Sequence, residues 1–85
     1  MRLDKFLKVS RLIKRRTVAK DVSDQGRVLI NGREAKASSS IKPGDEITVF
    51  FGQKSITVRV ERIAEAAKKD EAAGMYTLIR EESHS

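Results

Sequence analysis

Apolar and polar positions change rhythm along this chain. Over residues 2–9, Leu3, Phe6 and Leu7 recur at helical spacing. At 100° per residue they fall within one arc of about 100°, with Arg2, Lys5 and Lys8 roughly opposite. This predicts a short helix whose core side is Leu3, Phe6 and Leu7. In the next stretch, SRLIKRR at 10–16, Leu12 and Ile13 are the anchors, and Arg11, Lys14, Arg15 and Arg16 project. Thr17 is the expected N-cap of a second helix, Val18 to Gln25, closed by Gly26 at C′. Val18, Ala19 and Val22 form the face expected to pack on the first helix. Lys20 lies away from it, and Asp21 and Asp24 read as solvated charges.

From Gly26 onward the period becomes two. Val28 and Ile30 alternate with Arg27 and Leu29 ahead of Asn31-Gly32. That pair is a strong hairpin signal, because both turn residues must take positive φ. Ala35 to Ile41 reads as a connector, its Ser run as a flexible loop. Lys42-Pro43-Gly44-Asp45 suits a type II turn. Ile47, Val49 and Phe51 alternate with Glu46, Thr48 and Phe50; after Gly52-Gln53-Lys54, Ile56, Val58 and Val60 alternate with Thr57, Arg59 and Glu61. This is a second hairpin with one buried face, and Phe50 points outward to cover the sheet's other side or the C-terminal segment. Ala64 to Ala73 has helix-forming composition, with Gly74 as its C-cap. Met75 to Arg80 reads as a final strand, and 81–85 as a polar tail that frays. The expected fold is α+β: two N-terminal helices packed on a small, mostly antiparallel sheet, with a short C-terminal helix and final strand. Residues 1–80 are expected to form one domain, since no repeat and no linker interrupts them.

Charge sharpens the picture. The net charge is +6, from 18 basic and 12 acidic residues. Residues 1–20 hold Arg2, Lys5, Lys8, Arg11, Lys14, Arg15, Arg16 and Lys20 against Asp4 alone, a net of +7. Residues 21–85 sum to −1. A basic face on a neutral body is the footprint of a polyanion binder. Arg2 at a helix start opposes the usual preference for acids there. Either it pairs with Asp4, or an external anion answers it.

Little supports catalysis. His84 is the only histidine and there is no cysteine, so an acid–base pair, a thiolate metal site or a disulfide has nothing to build on. No catalytic residue, metal or cofactor is expected. Asp45-Glu46 is the most tempting carboxylate pair, but it lies beside a turn, where such residues are common. No run reaches membrane-spanning length, and the N-terminus lacks the apolar core of a signal peptide. The four aromatics, Phe6, Phe50, Phe51 and Tyr76, mostly occupy core-like positions. Base stacking on a sheet face is therefore not expected; shape recognition of folded RNA by a helical face is. A DNA-binding helix-turn-helix module is the alternative, but Asp21 and Asp24 on its reading helix would repel phosphate. A membrane-surface role would need Leu3, Phe6 and Leu7, which the core requires.

The set RLDKFL at 2–7, the Arg11–Arg16 cluster, the helix 17–25, GRVLING at 26–32 and KPGD at 42–45 resembles the RNA-binding domain first recognised in ribosomal protein S-four. The resemblance covers about residues 1–51. It implies two helices on a small sheet and a helical face that binds structured RNA. The positions matching the family's RNA contacts are Arg2, Asp4, Lys5, Arg11, Arg15 and Arg16; charge placement adds Lys8, Lys14 and Lys20. The length, the opening and the close MYTLIREE look nearest to stand-alone members acting in ribosome-associated quality control. That implies a cytoplasmic, monomeric factor on split large ribosomal subunits bearing peptidyl-tRNA. Its partners would be large-subunit ribosomal RNA, the tRNA and a quality-control elongation factor that adds C-terminal alanine tails. Heat-shock-type members, which bind free large subunits with nascent chains, are the alternative. They carry a long basic C-terminal extension, whereas this sequence closes on Glu81-Glu82.

Overall fold

The computed structural model describes residues 1–84. Helix α1 spans Leu3–Val9 and α2 spans Arg16–Asp24. Strands β1 (Val28–Ile30) and β2 (Arg33–Glu34) form the first hairpin; β3 (Glu46–Phe51) and β4 (Lys54–Val60) form the second. The short helix α3 (Lys69–Ala73) precedes β5 (Tyr76–Ser83). The five strands make one antiparallel sheet in the order β2-β1-β3-β4-β5. The α+β architecture read from the sequence is the one observed.

One face of this sheet meets the helices. Leu3, Phe6 and Leu7 of α1 and Ala19 of α2 share a buried cluster with Val28, Ile47, Val49, Val58, Val60 and Met75. Asn31 (φ 52°) and Gly32 (φ 82°) both adopt the left-handed conformation that the tight hairpin requires. On the other face, the hydroxyls of Thr48 and Thr57 share a hydrogen bond of 2.9 Å. The Phe50 ring lies 6.1 Å from that of His84, so it covers the C-terminal segment as expected. Phe51, expected to point into the core, is exposed at the end of β3.

Other local expectations are corrected. Thr17 is not a cap: α2 opens two residues earlier, with Arg15 at the N-cap and no side chain bonded there. Val18 is 43% exposed. The inward stripe instead runs through Ala19, Val22 and Ser23, whose two small residues sit one turn apart. The Ser23 hydroxyl donates to the Ala19 carbonyl at 2.7 Å, which lets a polar residue be buried there. Asp24 is exposed but not idle, since its carboxylate accepts the Ala37 N–H.

The connector at 35–41 is packed rather than loose. Ala35, Ala37 and Ile41 are buried, and an isolated antiparallel bridge joins Ser40 to Arg2. The helix expected over 64–73 shrinks to α3. Ile63, Ala64 and Ala67 lie against the core without helical structure, so burial overrides propensity. β5 runs past Arg80 through Glu81, Glu82 and Ser83, where a polar tail was expected, because each pairs in register with β4. The end of that tail, Ser85, lies outside the described residues.

Candidate nucleic-acid interface

The N-terminus of α1 is fixed by the chain that crosses it. Leu3 N–H donates to the Ser39 carbonyl at 2.7 Å, Asp4 N–H to Ala37 at 3.2 Å, and Ile41 N–H to Met1 at 2.9 Å. These backbone bonds set Arg2 at the N-cap of α1 and turn Asp4 inward. Asp4 is the buried acid of the basic segment, with its side chain 3% exposed. A buried carboxylate must find donors, and Asp4 finds four, from three residues. Its Oδ1 accepts the Lys5 N–H at 2.8 Å and the Arg2 Nε at 3.2 Å. Its Oδ2 accepts the Arg16 Nε at 3.5 Å, with Arg2 Nη2 at 3.4 Å. The local Arg2–Asp4 pair left open by the sequence is therefore present. It does not use up Arg2, whose side chain stays half exposed, as does that of Arg16.

The consequence is geometric. Arg2 precedes α1 and Arg16 begins α2, yet one carboxylate holds both. Each presents its remaining guanidinium N–H groups to solvent, where phosphate can take two at once. The start of α2 adds to this. Arg15 and Arg16 flank it, no acid occupies its first turn and no side chain caps it. A helix end with unmet N–H groups and added positive charge favours an anion from outside the chain.

The other expected residues divide. Lys8, in the last turn of α1, and Lys14, Arg15 and Lys20 are exposed and form no ion pair among the described residues. Arg11 is also exposed, with a left-handed backbone at φ 65°, unusual for a long side chain. It forms one wall of a groove of about 450 Å³, faced by Ala66, Ala67, Lys68 and Glu71. Lys5 is the exception. Its ammonium pairs with Glu65, sixty residues away, which no sequence spacing could suggest. The backbone of Ala37 and Ser39, which frames Asp4, was equally invisible as part of the site.

Residues 1–47 match the family model described as the S4 domain. The chain belongs to the S4 domain family. It is 68% identical over 82 residues to the RQC P-site tRNA stabilizing factor of Bacillus subtilis, covering 96% of this chain and 95% of that protein. A relative from Aeromonas salmonicida, named a heat shock protein 15 homolog, is 34% identical over the whole chain, which spans 62% of its length. The solved structure described as trimeric Vibrio cholerae heat shock protein 15 superposes with a TM-score of 0.85 at 34% identity, over 92% of this chain and 80% of that one. No helix among the described residues is long and apolar enough to cross a membrane.

Proposed function

We propose that this chain is a non-enzymatic RNA-binding factor of ribosome-associated quality control. It docks on a split large ribosomal subunit and stabilises the peptidyl-tRNA there while a partner elongation factor adds C-terminal alanine tails. The observation that carries the proposal is the Asp4 clamp, which gathers Arg2 and Arg16 from two helices into one phosphate-facing surface. Arg11, Lys14, Arg15, Lys5, Lys8 and Lys20 extend that surface, and residues 1–80 work as one RNA-binding unit. The relatives' names support the choice of ribosomal state. A monomer of this size acts by binding one state of its partner better than another. Its place of work is the bacterial cytoplasm, where ribosomes are.

The test compares lysates with wild-type protein, the Arg16→Ala variant and a deletion strain. Large-subunit occupancy is read by sedimentation and C-terminal tails on a non-stop reporter. The expected result is enrichment on split subunits, reduced by Arg16→Ala, and loss of tails in the deletion strain. Unchanged tails would remove the quality-control role and favour the heat-shock-type recycling of free large subunits. Equal binding to intact ribosomes and split subunits would remove the docking surface.

A further inference from the structure

Acids in the body of this protein form their ion pairs with bases close in sequence. Asp45 pairs with Lys42, Glu61 with Arg59 and Glu82 with Arg80. Glu65 is different. Among the described residues it is the only carboxylate from beyond residue 20 that pairs with a base from within the first twenty. Its own side chain is 81% exposed, while that of Lys5 is 32% exposed. The Lys5 ammonium holds the Glu65 carboxyl below its ordinary value, so Glu65 is ionised wherever the protein works.

The pair is not what fastens this segment. Glu61 N–H donates to the Met75 carbonyl at 2.8 Å, and the Arg62 guanidinium donates to the Glu71 carbonyl at 2.9 Å. Ile63, Ala64 and Ala67 pack against the core, and Ala72 is buried. Glu65 hangs from an already anchored strap with its carboxylate on the flank of the basic face. Asp4 and Glu65 are thus two acids with opposite standing. Asp4 is buried behind its arginines and cannot be displaced by a ligand. Glu65 sits in solvent, where a phosphate reaching Lys5 takes its place.

We infer that Glu65 is an internal competitor of the RNA face, which occupies Lys5 until a phosphate displaces it. This rests on the RNA-binding reading above. Any polyanion that takes Lys5 breaks the Lys5–Glu65 pair to make its own, so Glu65 lowers the affinity it can reach. An RNA whose shape brings a phosphate to Lys5 while others sit on Arg2 and Arg16 recovers that loss through the whole contact. Glu65 therefore sets a threshold: Lys5 joins only a contact already held at other positions.

The experiment measures fluorescence anisotropy of a labelled arbitrary RNA duplex across a salt series, and occupancy of purified split large subunits. Full-length wild type, Glu65→Gln, Lys5→Gln, the double variant and Arg16→Ala are compared. The expected result for Glu65→Gln is several-fold tighter duplex binding. Its log–log salt slope becomes steeper by up to about 0.9, one more phosphate neutralised. Occupancy of split subunits at limiting protein rises as well. In the Lys5→Gln background, removing Glu65 has no such effect. An unchanged slope and affinity in Glu65→Gln, with or without a lower unfolding temperature, overturns the inference and leaves Glu65 a structural contact. Arg16→Ala separates the two ideas: a flatter slope there keeps the RNA face standing even when Glu65→Gln does nothing. No effect of Arg16→Ala removes the face itself.

Discussion

A single carboxylate does most to order the basic face. Asp4 accepts from Arg2, from Arg16 and from the Lys5 backbone while itself almost wholly buried. Because it is buried, its direct effect is on the two arginines it holds. Freezing a long side chain costs roughly 0.5–1.5 kcal/mol at binding, so releasing two should lower RNA affinity by about one order of magnitude. Asp4→Asn keeps the volume and removes the charge. The expected outcome is weaker binding with an unchanged salt slope, since the number of phosphates neutralised is the same. Arg16→Ala should instead flatten the slope by up to about one unit. Anisotropy titrations at several salt concentrations separate the two. The sequence exposed both arginines and the acid, and left open whether the acid pairs locally. It could not show that Arg16 joins, because a contact twelve residues apart depends on how α1 meets α2.

Elements supply the frame. α1 is held by three fully buried apolar side chains, so Leu7→Ala is expected to cost about 2–4 kcal/mol through lost burial and the cavity left behind. Chemical denaturation measures it. The two turns of the sheet are tied to each other. Asp45, after the Pro-Gly turn, accepts from the Lys42 N–H at 3.0 Å and the Asn31 amide at 3.1 Å. Burial pushes its carboxyl up, but these hydrogen bonds and the Lys42 ammonium outweigh that and hold it below the ordinary value. A depressed carboxyl stabilises the fold above its unfolded value of about 3.9, and the benefit disappears as pH falls through the lower folded value. Asp45→Asn should therefore lower the melting temperature at pH 7 and reduce its further decline in acid; melts at pH 7 and pH 3 check this. The strong periodicities and the Asn-Gly turn were legible because local chemistry decides them. Thr17, Val18 and the 64–73 helix were misread because packing overrode propensity. Ala19 and Ser23 let the helices approach closely, and Ile63, Ala64 and Ala67 gain more from core contact than from a helix.

At the scale of the molecule, fold and binding charge are separable. The lysines outside the clamp lie on the surface of a core built from apolar residues, so Lys14→Glu should leave the melting temperature nearly unchanged while weakening ribosome association. If about five phosphates are neutralised, log affinity should fall with log salt at a slope of roughly −4 to −5. Binding insensitive to salt would falsify the electrostatic face. The charge map needed only the sequence, since it is a property of order along the chain. The route by which that face is assembled did not. Met1 and Leu3 bond to Ile41 and Ser39, and Arg2 bridges to Ser40. A polypeptide is made from its N-terminus, so the first residues wait for partners that are synthesised about half a chain later. Until then Arg2 has no fixed direction. The N-terminal end of the basic face is thus completed only after the middle of the chain has been made.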